Sequence, residues 1–251
     1  MRLKIIFGET GDPFNISRDY RRYFISFIKK VFEKSGKFDE FYSSKRLKPF
    51  VFSVFLGNQF ELIEESEDEK IKVNPPFNMI FSTGDFEIFS IFYNGLLDIK
   101  KENSGITLKN KIFQIKDISL SRIVKINEDS AVFKTVGICI LTDPEENSEN
   151  FDKWFIVPSE KNIEKFNQVL EKRMLKKYEM INQKKIETKI ELIPLKGESI
   201  KEIYVKHYGG YLKGFKGVFT LKSDPCMLQF IYDYGLGVRT GQGFGLLEIV
   251  K

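Results

Sequence analysis

Apolar positions along this chain recur in two periods that take turns. "RLKIIF" at 2 to 7 alternates as a short strand does. In "FNISRDYRRYFISFIKKVFEKSG", Tyr20, Phe24, Phe27, Ile28 and Val31 fall at helical spacing, which predicts a helix capped by Ser17 and stopped at Gly36. Arg18, Arg22 and Lys29 occupy its other face. "PFVFSVFLG" at 49 to 57 predicts a strand, "EESEDEK" an acidic turn, and a further strand ends at "NMIFST". Ser82 or Thr83 is placed to cap the helix "GDFEIFSIFYNGLL", where Asp85 and Glu87 suit a positive helix N-terminus. "GITLKNKIFQIKDISLSRIVKI" adds one or two strands. The order of this half is β-α-β-β-α-β.

The second half repeats that order. "AVFKTVGICIL" at 131 to 141 predicts a strand, and Ser159 a cap for a long helix with Ile163, Phe166, Leu170, Met174 and Tyr178 on one face. "KKIETKIELIPL" is the next strand, and "IKEIYVKHYGGYLKGFKGVFTLKS" predicts a hairpin. Asp224 as cap, with Pro225 in the first turn, opens a short helix that ends near Gly235. "GLLEIV" is the final strand. The fold class expected is α+β, with two tandem ferredoxin-like domains, 1–124 and 125–251, meeting near residues 120 to 128.

Composition sharpens this picture only in places. The 251 residues are 42% hydrophobic, enough for substantial cores, and no apolar run approaches the ~20 residues of a membrane span. The N-terminal apolar run is too short for a secretory signal. Cys139 and Cys226 form no CxxC pair, so a cytoplasmic protein without disulfides is expected, and two Cys with one His do not make a structural zinc site. Forty Lys and Arg against 35 Asp and Glu give +5, mildly basic. That balance permits a nucleic-acid partner without requiring one.

The segment "YDYGLGVRTGQGFGLLEIV" poses the sharper question, with five glycines between 235 and 245. A dinucleotide fingerprint would follow a strand and open a helix. Here the order is reversed, and no Gly-Lys-Ser or Gly-Lys-Thr of a phosphate loop occurs. Two readings remain: a flexible turn, or backbone that approaches another chain closely because no Cβ intervenes. Arg239 and Thr240 would then meet phosphate.

A GxGxxxGxGFG segment at the C-terminal end of a tandem ferredoxin-like chain resembles the signature of the RAMP superfamily. With "DYRRYFISFIKKVF", "KPFVFSVFLG" and "FSTGDFEIFSIFYNGLL", the chain is most similar to the sixth Cas family, endoribonucleases that process precursor CRISPR RNA. The resemblance implies cleavage of repeat RNA without metal or cofactor. A 2′-OH attacks its own phosphodiester and leaves 2′,3′-cyclic phosphate and 5′-OH ends. Many members carry a histidine shortly before the block written here "KPFVFS"; this chain has Tyr42 there, beside Ser43 and Ser44. The resemblance assigns positioning or acid-base work to Tyr42 and transition-state stabilisation to Lys48, with Lys29 at or beside another family position. His207, the sole histidine, is a secondary catalytic candidate from the other half.

Repeat RNA, or precursor crRNA, is the implied partner, with effector-complex subunits and a second copy of the chain as further candidates. Between 204 and 216, Tyr204, Tyr208, Tyr211 and Phe215 interleave with Lys206, Lys213 and Lys216, which offers rings to bases and ammonium groups to phosphates. Arg18, Arg22, Lys45, Arg46 and Arg239 extend that basic surface, and Gly235, Gly237, Gly241 and Gly243 are the loop positions where RNA would approach. "EKRMLKKYEMINQKK" at 171 to 185 reads as the wet side of the long helix. The substitution at 42 also admits a protein that holds repeat RNA without cutting it. An interaction protein with no RNA role is the third alternative.

Overall fold

The computed structural model of the chain describes residues 1–42, 47–57, 61–63, 70–197 and 200–250, with residues 40 and 61–63 described by backbone alone. Its first half runs β1 (Arg2–Phe7), β2 (Phe14–Ser17), α1 (Arg21–Lys34), α2 (Phe38–Tyr42), β3 (Val51–Phe55), β4 (Glu61–Ile63), β5 (Lys70–Val73), β6 (Phe77–Ser82), α3 (Phe86–Lys101), β7 (Gly105–Leu108) and β8 (Lys111–Leu120). The second runs β9 (Ser130–Thr135), α4 (Ile163–Asn182), β10 (Glu191–Pro194), β11 (Lys201–His207), β12 (Gly210–Lys216), β13 (Val218–Lys222), α5 (Pro225–Tyr234) and β14 (Leu247–Ile249). Short 3-10 turns lie at Phe151–Trp154 and Thr240–Gln242.

Two antiparallel sheets, ordered β3-β6-β1-β8-β7 and β10-β13-β9-β14, organise these elements. With α1 and α3, and with α4 and α5, the β-α-β-β-α-β pattern is realised twice in the spatial order of a ferredoxin-like fold. Everything else is inserted: a small sheet β2-β5-β4 in the first half and the β11-β12 hairpin in the second. In the first core, Leu3, Ile5 and Phe7 of β1 are buried with Phe24, Phe27, Ile28 and Val31 of α1. Each such side chain stabilises the fold by roughly 1.5–3 kcal/mol through removal from water. Phe166, Leu170 and Met174 of α4 join Phe219 and Leu221 of β13 in the second.

Several local expectations are corrected. Ser17 ends β2, and its hydroxyl accepts from the Asp19 amide at 3.2 Å, so α1 begins only at Arg21. Asp85, not Ser82 or Thr83, caps α3 by accepting from the Ile88 amide at 3.0 Å. The Thr83 hydroxyl accepts from the Asp85 amide just before the helix and donates to the Pro49 carbonyl. Asn162 rather than Ser159 precedes α4. The strand expected over 131 to 141 stops at Thr135, because Gly137 takes φ +102° and the following residues bridge instead to Phe215 and Gly237. Asp224 does cap α5, accepting from the Cys226 amide. Most of the acidic turn "EESEDEK" lies outside the described residues.

The halves are also joined directly. The N-terminal ammonium donates to Thr83 and to Asp233, Arg2 donates to the Tyr232 carbonyl, and the Ser82 hydroxyl donates to the Asp233 carbonyl. The end of α5 is therefore tied to the first sheet, and the loop that follows α5 is aimed between the units.

Candidate functional site

The site begins with α2, whose Phe41 sits on Phe32 of α1 at 4.6 Å between ring centres. Tyr42 follows in the same short helix, its ring stacked on Phe38 and within reach of two ammonium groups, Lys48 at 4.7 Å and Lys29 at 5.3 Å from the ring centre. Both are cation–π distances. Lys48 also donates to the Phe41 carbonyl. The Tyr42 hydroxyl is buried with no hydrogen-bond partner among the described residues. Burial, reinforced by Tyr208, pushes its pKa well above the usual tyrosine range, so near neutrality it is a donor and not a base. Burial and then Lys29 lower the Lys48 pKa.

From the other half, the β11-β12 hairpin turns tightly at Tyr208 and Gly209, which take φ +50° and +80°. This turn delivers His207 to the start of α1. Its Nδ1 lies 3.7 Å from Asp19, too far for a hydrogen bond, and its Nε2 is 3.1 Å from Gln242. Burial lowers the His207 pKa against the opposing pull of Gln242 and Asp19, with Arg21 and Arg239 lowering it further. Asp19 pairs with Arg22 at 3.4 Å, yet one oxygen of Asp19 and Nδ1 of His207, like the Tyr42 hydroxyl, are buried without hydrogen-bond partners among the described residues.

The glycine-rich loop floors this junction. At Gly237, with φ +76°, a Cβ would stand 2.2 Å from the Ile140 carbonyl, so only glycine lets the two backbones lie this close. At Gly241 a Cβ would meet the Lys48 side chain at 2.7 Å. Gly235, Gly237 and Gly243 are buried against the chain itself, and the Gly243 carbonyl accepts from Arg21 at 3.3 Å. The close backbone approach foreseen for this loop is thus made within the protein. Arg239 is exposed, in a left-handed conformation, and donates to Gln242.

A groove leads away from the junction between the two halves. Two cavities of about 360 and 660 Å³ share Gly137 and Lys216. Arg18, Arg21 and Lys206 line the first, while Lys134, Lys201 and the exposed Phe55 line the second. Glu248 is the one carboxylate among the described lining residues. On the hairpin, the register pairs Tyr204 with Lys213 and Lys206 with Tyr211, which puts these four on one face. Tyr204, Tyr208 and Tyr211 are exposed, but Phe215 is buried edge-on against Phe166 and leaves the proposed stacking set. Lys213 is ion-paired with Asp152 at 3.1 Å.

Of the residues singled out from sequence, Tyr42, Lys48 and Lys29 form one cluster, with His207 and Arg22 at the adjoining junction. Arg18, Lys206 and Lys216 line the groove, and Lys45 and Arg46 lie outside the described residues. Asp19, Arg21, Gln242, Lys134 and Lys201 were not foreseen. For Asp19, Arg21 and Gln242 the neighbouring Arg18, Arg22 and glycine motif were the signal, and Lys134 and Lys201 had none. One reading is overturned: within 171 to 185, Lys177 is buried and Arg173 donates to Thr142 at 2.8 Å, so this is not simply a solvated face.

Two ferredoxin-like units clasp a C-terminal glycine-rich loop. The profile of "CRISPR associated protein Cas6, C-terminal" matches residues 121–249, and the chain belongs to the Cas6 family. Among solved structures, a RAMP protein described as binding different RNA substrates superposes with a TM-score of 0.79 at 18% identity, covering 100% of both chains. A Cas6-related protein from Pyrococcus furiosus gives 0.76 at 20%, covering 100% of this chain and 98% of its own. A further CRISPR associated protein Cas6 gives 0.73 at 19%, covering 100% and 99%. No curated protein matches the chain in sequence.

Proposed function

We propose that this protein binds CRISPR repeat RNA in the groove between its two units and cuts precursor crRNA at the Tyr42–Lys48–Lys29 cluster. Membership of the Cas6 family supports the substrate class. The observation that carries the site is the convergence of two ammonium groups on a buried phenol that has no partner among the described residues; a groove lined by Arg18, Arg21, Lys206 and Lys216 lies between the same two units. Such a cluster suits a phosphodiester that gains negative charge as it reacts.

In the reaction, the 2′-oxygen forms a bond to the adjacent phosphorus while the bond from phosphorus to the 5′-oxygen breaks. One proton leaves the 2′-OH and one reaches the departing 5′-oxygen, so the products are a 2′,3′-cyclic phosphate and a 5′-OH. Lys48, with Lys29 behind it, faces the charge on the phosphoryl oxygens. Tyr42, kept protonated by burial, donates a hydrogen bond to a phosphoryl oxygen or the leaving oxygen. His207 has little exposure and both nitrogens turned to protein groups, which supports a role in seating the hairpin rather than in proton transfer. A second reading, binding without cutting, is favoured by two observations: the sole imidazole is buried, and the phenol beside the lysines is held protonated.

The test is incubation with the cognate repeat RNA in excess EDTA. Wild type is expected to make one cut, and Lys48→Ala to cut about 100-fold more slowly, the usual loss for one transition-state donor. His207→Ala is expected to weaken binding more than the chemical step. Tight binding with no cut by wild type supports the second reading, and equally weak binding of repeat and random RNA rejects both.

A further inference from the structure

Lys177 lies on α4, inside the charged run that reads as solvated, yet it is buried. Its ammonium donates to the carbonyls of Tyr234 and Gly235, each at 2.8 Å, and to the Thr240 hydroxyl at 3.4 Å. The two carbonyls end α5, where helix groups lack internal partners and a cation is favoured. One turn earlier on the same face of α4, the sulfur of Met174 accepts from the Gly237 amide at 3.3 Å. Helix α4 therefore grips the glycine-rich loop at its first residues and again at Thr240. Thr240 opens the 3-10 turn whose other two residues are Gly241, against Lys48, and Gln242, against His207.

We propose that Lys177 is a positioning residue of the interdomain site, fixing the glycine-rich loop in the arrangement that seats Gln242 on His207 and Gly241 on Lys48. It touches neither of those side chains and acts only through the loop. The inference deepens the RNA-processing reading, but its geometric part stands without RNA.

Because His207 is the only histidine, its imidazole protons report on the loop without interference. The groups that face it are Asp19 and Arg21 from the start of α1, Gln242 and Arg239 from the loop, and Tyr208 and Phe244. Titration of His207 by proton NMR, with amide exchange over residues 235–245, is compared in wild type, Lys177→Met and Thr240→Val. In Lys177→Met the His207 midpoint is expected to shift from its wild-type position, because the Gln242 contact that raises it and the Arg239 charge that lowers it both move with the loop, and loop amides to exchange faster. Cleavage of repeat RNA in EDTA is expected to fall about 100-fold, the effect of a displacement of about 1 Å at a reacting centre. If Lys177→Met does not fold, Thr240→Val, which removes only the link to the 3-10 turn, carries the same readouts. A folded variant with unchanged His207 titration and unchanged loop exchange overturns the proposal. If wild type fails to cut repeat RNA while the NMR and exchange shifts appear, the positioning role stands and the nuclease reading falls.

Discussion

At the scale of single residues, the proposed site turns on a phenol with no hydrogen-bond partner among the described residues and two ammonium groups within cation–π distance of its ring. A buried hydroxyl without a partner costs about 1–3 kcal/mol. Tyr42→Phe is therefore expected to leave urea stability unchanged or raise it by about 1 kcal/mol, while weakening cleavage. Loss of both stability and cleavage would mean that the hydroxyl serves the fold instead. Its raised pKa also predicts a sign. The folded state keeps a proton that the unfolded chain releases near pH 10, so this contribution is present below pH 10 and lost as pH rises above it. Tyr42→Phe should soften that alkaline loss. Lys177 runs the other way: burial lowers its pKa from 10.5 to about 7. Its contribution is present above pH 10.5 and lost as pH falls toward 7, so wild type should gain stability from pH 7 to 10 relative to Lys177→Met. Tyr42 and Lys48 drew attention in the sequence through the resemblance around "KPFVFS", and the structure places the two together. Lys177 drew none, since a lysine among lysines on a helix becomes buried only when Tyr234, 57 residues later, brings its carbonyl to it.

At the scale of elements, the hairpin and the loop have opposite characters. The β11-β12 face presents Tyr204 and Tyr211 with Lys206, beside Lys213 held by Asp152, which suits the stacking and phosphate contacts of the proposed RNA path. Tyr211→Ala is expected to cost about 1–3 kcal/mol of repeat-RNA affinity if a base stacks there. Lys206→Ala is expected to lower the salt slope of binding by about one. Titrations at several salt concentrations separate these, and a Tyr211→Ala protein with unchanged affinity would remove the hairpin from the RNA path. The glycine loop, by contrast, is internal. Gly237→Ala would force a Cβ against the Ile140 carbonyl at a positive φ, and thermal melting should fall cooperatively. Strand and helix order were legible because the two apolar periods are clean over whole elements. Helix starts were less so: Ser17, Thr83 and Ser159 are all good capping residues, but turn contacts and a carbonyl from another segment claimed two of them and Asn162 displaced the third.

At the scale of the whole molecule, the proposed site draws on both units. The lysine and phenol cluster belongs to the first half, the histidine and aromatic hairpin to the second, and the glycine loop touches both. Contacts from Met1, Arg2 and Ser82 to the end of α5 hold that meeting in place. The tandem architecture was legible from element order, but the groove was not. Its lining comes from Arg18, Lys134, Lys201, Lys206 and Lys216, which no sequence window joins. The measurement that tests the account most directly is mass analysis of the RNA ends after wild-type protein meets its cognate repeat in EDTA. The account predicts one upstream fragment ending in a 2′,3′-cyclic phosphate and one downstream fragment beginning with a 5′-OH. Intact RNA, or ends bearing a 3′-OH and a 5′-phosphate, would contradict it.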